Sequence, residues 1–297
     1  MSSVLVTGAS GFIGRAACTS FEQKGWKVVP GTRANGSLEQ GWPLQNIDVV
    51  VHLAGIAHEL SARNAEQTYL QMNCVATERL ARAAAAAGAR RFVFMSSIKV
   101  NGERTSADRP FRAADAPDPQ DRYARSKWQA EQALARVAAD TGLEVAVLRP
   151  PLVYGPGVRA NFLRLLRLVE RRLPLPFGAI DNRRSLLYVG NLADLIALAA
   201  SSPRAAGRTL LAADGEDLST PQLVREIGRA LGVAPRLLPV PVWALRSLGA
   251  VAGKRSEISR LTDSLRVDIA ETRSMGWEPP HALGSGLEET ARWWRTQ

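Results

Sequence analysis

The chain has 297 residues, 46% hydrophobic and 22% charged, a balance that supports a buried core and excludes a disordered polymer. Two cysteines (Cys18, Cys74) and three histidines (His52, His58, His281) show neither a disulfide framework nor zinc-ligand spacing, so no metal is expected. The net charge of +10 comes from arginines scattered along the chain, without a basic arm or helix-turn-helix, so no nucleic-acid partner is expected.

Val4-Leu5-Val6 begins a strand almost at once, with no charged and apolar leader before it, and a cytoplasmic location is expected. Phe12 to Gln23 follows with helical apolar spacing, and Val28-Val29 is a second strand. Asp48-Val-Val-Val-His-Leu-Ala-Gly55 is a continuous apolar run suited to a parallel strand covered on both faces. An alanine-rich helix runs from about Tyr69 to Ala87 and stops at Gly88. Arg91 to Ser97 is the next strand, a helix spans about Tyr123 to Asp140, and Glu144 to Arg149 forms a further strand closed by Pro150-Pro151. This alternation predicts an α/β fold, a Rossmann doubly wound parallel sheet.

Prolines then recur and the alternation weakens. Helices are expected from Ala160 to Leu175 and from Thr220 to Leu231, the second opened by Ser219-Thr220-Pro221. Arg164, Arg167, Arg171 and Arg172 fall on a solvated helix face. The run Val240 to Val251, broken by Pro241, Arg246 and Gly249, is expected as a buried or interface helix, and no apolar stretch is long enough to span a membrane. Residues 1–155 are therefore expected to form a dinucleotide-binding domain to which roughly 181–215 return. Residues 156–180 and 216–297 would form a smaller, interleaved C-terminal substrate lobe.

Thr7-Gly8-Ala9-Ser10-Gly11-Phe12-Ile13-Gly14 stands between the first strand and the first helix, as a dinucleotide fingerprint must. Gly8, Gly11 and Gly14 permit the tight turn, and with Ser10, Phe12 and Ile13 they bring backbone N–H groups to a pyrophosphate at the helix N-terminus. An acidic residue at the end of the second strand would favour NAD(H). Gly31-Thr32-Arg33 stands there instead, and Arg33 could grip a 2′-phosphate, so NADP(H) is favoured and NAD(H) remains possible.

Tyr123 and Lys127 lie four residues apart on one helix face. A lysine ammonium beside a phenol stabilises the phenolate, and a tyrosine so tuned can exchange a proton with a substrate oxygen while hydride moves to or from a cofactor. Ser97 ends the preceding strand, on the side where a doubly wound sheet places ligand groups. Its hydroxyl can hold the same substrate oxygen. Ser97, Tyr123 and Lys127 are the expected catalytic residues.

Together with Asn73 and Arg149-Pro-Pro-Leu-Val-Tyr-Gly-Pro156, these motifs resemble the extended short-chain dehydrogenase/reductase superfamily, in its nucleotide-sugar epimerase/dehydratase/reductase branch. The resemblance covers nearly the whole chain. It implies that Lys127 and Tyr123 also contact the cofactor, that Leu53, Ala54 and Gly55 lie along it, and that Pro150 sits near the nicotinamide. It implies a UDP-sugar substrate held by Ser97, Asn161, Phe177 and Arg184, with a second diphosphate arginine from Arg260 or Arg266, and a homodimer. Asn101-Gly102 departs from the tyrosine-glycine pair common in the family, and the segment before Asp48 is short.

The run Phe94 to Glu103 and Arg159-Ala-Asn161-Phe resemble UDP-N-acetylquinovosamine-forming reductases, so the leading expectation is reduction of a UDP-4-keto-6-deoxy-N-acetylhexosamine for polysaccharide synthesis. A UDP-hexose 4-epimerase with tightly bound NAD is the alternative, since both reactions pass hydride at C4 through one tyrosine. A dehydratase needs an acid-base carboxylate pair after the serine, where Ile98-Lys99 stands. A non-catalytic NADP-binding regulatory subunit is the reading from another class; the intact Ser97, Tyr123 and Lys127 argue against it.

Overall fold

Short apolar strands whose residues are buried on both faces require helices above and below, and that requirement sets the architecture. The computed structural model describes residues 1–56, 65–106 and 108–297, so His58 lies outside the described residues. β1 (Ser3–Thr7), α1 (Phe12–Gln23), β2 (Lys27–Gly31) and β3 (Val49–His52) open the chain. α2 (Ala65–Tyr69), a π-helical turn (Leu70–Val75), α3 (Ala76–Ala86), β4 (Arg91–Met95), α4 (Arg122–Thr141) and β5 (Glu144–Arg149) follow. Next are β6 (Leu152–Tyr154), α5 (Ala160–Glu170), β7 (Pro174–Leu175), β8 (Arg184–Tyr188), α6 (Val189–Ser201) and β9 (Thr209–Leu211). The chain closes with β10 (Asp217–Leu218), α7 (Thr220–Leu231), β11 (Arg236–Leu237), α8 (Val242–Val251), α9 (Arg255–Thr262), α10 (Ala270–Ser274) and α11 (Leu283–Trp294).

The main sheet runs β2-β1-β3-β4-β5-β9, and every pairing is parallel. Ala17 and Phe21 of α1 and Leu192, Leu195 and Ile196 of α6 fill one face. Leu80, Ala81 and Ala84 of α3 and Ala130, Leu134 and Val137 of α4 fill the other. Because β1 lies between β2 and β3, the strand order reverses there, and a crevice opens beyond the carboxyl ends of β1 and β3. β2 is one edge of the sheet: residues 32–48 contribute only an isolated Ser37–Gly41 bridge, and Asn35 Nδ2 donates to the Pro30 carbonyl at 2.8 Å.

A second layer, β10-β8-β6 and β11-β7, packs with α5, α7 and α11 around Phe162, Leu166, Val224, Ile227 and Leu287. Asp214 ties it together, accepting from the Tyr154 hydroxyl at 2.9 Å, the Tyr188 amide at 2.8 Å and Asn191 Nδ2 at 2.8 Å. Trp277 is buried, with its indole N–H on Asp194 at 3.1 Å.

Three elements differ from the sequence expectation. The helix after Arg159 ends at Glu170, short of Leu175, because Arg172 turns into the left-handed region (φ 55°) and Pro174 starts β7. The alanine-rich helix begins at Ala65 and passes through a π-helical turn at Leu70–Val75. α8 starts only after Pro241 and is buried on one side, at Leu245 and Gly249, while Trp243, Leu248 and Val251 on the other are 73%, 66% and 90% exposed. No helix among the described residues is long and apolar enough to cross a membrane.

Candidate active site

The glycine loop closes tightly over the strand ends. Gly8 has φ +71°, and a Cβ there would stand 3.0 Å from the Ala54 nitrogen; a Cβ on Gly14 would stand 2.1 Å from the Gly8 oxygen. α1 starts at Gly11 with no side-chain cap and no acidic residue in its first turn. Its first N–H groups are left for an outside acceptor, which suits an anion such as a pyrophosphate. Ser10 offers its carbonyl to Arg15 Nη1 at 2.7 Å, and Phe12 and Ile13 are half-buried beneath the loop. Arg33 is exposed just past β2, where Thr32 N is held by Asn35 Oδ1 at 2.8 Å.

Asp121 caps α4 by accepting from the Ala124 amide at 2.6 Å, and this fixes the turn that carries Tyr123. Ser97 follows β4, with its Oγ accepting from the Lys99 amide at 3.3 Å and near enough to the Tyr123 phenol to lower its pKa. Lys127, one turn along, donates to the Met95 carbonyl at 2.8 Å and lies 6.0 Å from the centre of the Tyr123 ring. Burial pushes Lys127 down to about 8, opposed by the nearby Glu131 carboxylate. Burial pushes the Tyr123 phenol up to about 12, opposed by the nearby Ser97 side chain. Near neutrality the tyrosine therefore holds its proton and can deliver it. The sequence-derived trio is brought together in one place.

Gly55 faces this trio: a Cβ there would lie 2.9 Å from Asn73 Oδ1 and 3.5 Å from Lys127 Nζ. Leu53 and Ala54 are half-buried beside it, and Pro150 is buried after β5. The cradle thus runs from the uncapped helix, past the end of β3, to Lys127, and its uncapped N–H end suits the pyrophosphate of a dinucleotide.

Two buried networks support the trio, and sequence reasoning named neither. His52 Nδ1 pairs with Thr7 Oγ1 at 2.8 Å and Nε2 with Thr77 Oγ1 at 3.1 Å. Since the Thr77 hydroxyl donates to the Asn73 carbonyl at 2.7 Å, its oxygen must accept from His52, which fixes the Nε2–H tautomer. Thr7 then donates to Nδ1 and accepts from the Ala54 amide at 3.2 Å. Asn73 continues the line: its side chain holds Ile56 N at 2.8 Å and donates to Ser126 Oγ at 3.0 Å, and Ser126 donates to the Tyr123 carbonyl at 2.8 Å. Burial, helped by the Lys127 charge, pushes His52 down to about 3, so it is neutral.

Beneath Ser97, Arg149 and Glu131 form a buried ion pair at 2.5 Å and 3.0 Å. Ser96 donates to the same carboxylate, and Arg149 Nη1 donates to Asn101 Oδ1 at 3.0 Å. This explains why an asparagine suits position 101. A glutamate eight residues after Tyr123 on its helix, and an arginine ending an otherwise apolar strand, were the readable signals.

On the substrate side, Phe177 is buried, and Asn161 is exposed at the start of α5 after Ala160 at φ 55°. Arg184 donates to the Asp263 carbonyl at 3.0 Å, and burial with the Arg260 charge lowers its pKa. Arg260 is exposed within electrostatic range of both Arg184 and Asp121. Arg266 binds Asp217 at 2.7 Å, whereas the charge of Arg260 acts on Arg184.

Residues 4–212 match the NAD dependent epimerase/dehydratase family. The chain belongs to that family. It is 41% identical to a UDP-glucose 4-epimerase of Vibrio cholerae over 98% of this chain and 94% of that protein. MoeE5, solved with UDP-glucose and NAD, superimposes with a TM-score of 0.78 at 28% identity over 99% of both chains. RMD from Pseudomonas aeruginosa, solved with NADPH, superimposes with a TM-score of 0.81 at 23% identity over 100% of this chain and 99% of that one, which shows the shared fold.

Proposed function

We propose that the protein oxidises and re-reduces C4 of a UDP-linked hexose, acting as a 4-epimerase on UDP-glucose or UDP-N-acetylglucosamine. The observation that carries this is the Ser97–Tyr123–Lys127 group beside the Gly8–Gly14 loop, in a chain 41% identical to a UDP-glucose 4-epimerase. Gly8, Ser10, Gly11, Phe12, Ile13 and Gly14 would hold the cofactor pyrophosphate, Arg33 its adenosine end, and Leu53, Ala54, Gly55, Lys127 and Pro150 its nicotinamide half. Bound there, a nicotinamide dinucleotide supplies the hydride acceptor and donor.

The residues of the chain do the rest. Ser97 holds the C4 oxygen by its hydroxyl. The Lys127 charge stabilises the phenolate form of Tyr123, which takes the proton from a C4 hydroxyl, holds it as the phenol and returns it to the ketone oxygen. Arg184 and Arg260 grip the diphosphate, Asn161 meets the nucleotide, and Phe177 lines its base.

A second reading, net reduction of a UDP-4-keto-6-deoxy-N-acetylhexosamine, is favoured by Arg33, which suits a consumed NADPH. Proton NMR of UDP-glucose and UDP-N-acetylglucosamine incubated with the protein separates them. Appearance of the galacto epimer without net cofactor loss supports the epimerase. No epimer, with stoichiometric loss of NADPH on the 4-keto sugar, replaces it by the reductase. Failure of both refutes C4 chemistry on UDP-hexoses.

A further inference from the structure

The substrate lobe carries a surface that the C4 reading does not use. Of the seven exposed large hydrophobic side chains among the described residues, four, Leu238, Trp243, Leu248 and Val251, lie in or just before α8, and Met1, Leu152 and Leu173 lie elsewhere. At the helical spacing, Trp243, Leu248 and Val251 fall within an arc of about 140°. The opposite side of α8 packs inward through Leu245 and Gly249.

The exposed charges beside this ridge are basic, and its acids Glu257 and Asp263 are half-buried. Arg246, Lys254 and Arg255 are exposed, and the only acid between residues 246 and 260, Glu257, is half-buried. Arg246 is paired with Asp263 at 2.7 Å, while Lys254 and Arg255 have no ion pair among the described residues. Arg246 and Ala250 also border a concavity of about 280 Å³ that Arg104, Arg255, Ile258, Ser259 and Asp263 line. An apolar ridge rimmed by unpaired cations matches an interface of acyl chains under anionic headgroups.

We infer that α8 and the start of α9 dock the protein peripherally on an anionic phospholipid bilayer, with Trp243, Leu248 and Val251 entering the acyl boundary and Arg255 and Lys254 meeting headgroup phosphates. A second copy of the chain is the competing occupant, but like-signed rims repel when such a face meets itself. The inference stands apart from the C4 reading.

Flotation of the full chain with phosphatidylcholine vesicles, with and without phosphatidylglycerol, tests it. Binding is expected only to vesicles containing phosphatidylglycerol, weakened by salt. It should fall at least about fivefold in Arg255→Glu and at least about tenfold in the double variant Trp243→Ser, Val251→Ser. Both change exposed side chains, and circular dichroism confirms the fold. A wild-type chain that stays at the bottom of the gradient overturns the inference. So does equal flotation of wild type and variants, or a dimer by light scattering that the double variant abolishes while neither protein floats.

Discussion

His52 gives the sharpest test of how the cradle is held. Its ring is fully buried in a strand and is pushed down to about 3, whereas an unfolded chain titrates its histidines near 6.5. Below that value the unfolded chain takes up a proton that the folded chain refuses, so stability falls as pH drops from about 6.5 toward 3. Each pH unit in that window costs about 1.4 kcal/mol, and at two units below the unfolded value the loss from this one site is about 2.7 kcal/mol. His52→Asn keeps a polar group against Thr7 but cannot titrate. The stability gap between wild type and variant should therefore shrink by about 2.7 kcal/mol between pH 7 and pH 4.5. Urea unfolding of the cofactor-free proteins, followed by circular dichroism at both pH values, measures it. His281 and His58 are common to both proteins and cancel. A gap that changes by less than about 1 kcal/mol would refute the picture of a neutral, fully bonded His52.

Tyr123→Phe should lower turnover by about 10²- to 10⁴-fold and leave nicotinamide nucleotide affinity, measured by calorimetry, essentially unchanged; equal loss of both would assign Tyr123 to binding alone. Arg33→Ala should lower the NADPH-over-NADH binding ratio by about tenfold, as expected for one lost charge-assisted phosphate contact, and an unchanged ratio removes Arg33 from the adenosine site. Glu131→Ala leaves Arg149 buried and unpaired, and should destabilise the fold by about 3–5 kcal/mol in urea melts. The double variant with Arg149→Met should recover part of that loss, and a single-variant loss below about 1 kcal/mol would show that the pair is not the anchor beneath Ser97.

The parts legible in sequence were those whose physics is local. A glycine turn between a strand and a helix, and a tyrosine and lysine one helical turn apart, carry their geometry in their spacing. The continuous apolar run at 48–55 announced a central strand, and Val49–His52 is wholly buried in the middle of the sheet. What stayed hidden depends on partners far apart in sequence. Thr7, His52 and Thr77 meet across 45 and 25 residues, and only the closed sheet shows that His52 belongs to a polar line rather than to an apolar strand. Helix ends misled where a single backbone angle decides them, as at Arg172. The exposure of α8 was also hidden, because an apolar run states that burial is favourable and not what covers it.

The two ends of the main sheet have a bearing on how copies of this chain behave in solution. At β2 the peptide nitrogen of Pro30 has no proton to give, its outward carbonyl is taken by Asn35, and Lys27 places a charge at the strand's start. At the far side β9 offers only three residues, Thr209–Leu211. A newcomer strand finds no ladder to extend at either border. Both borders of the main sheet thus disfavour edge-to-edge growth in concentrated protein.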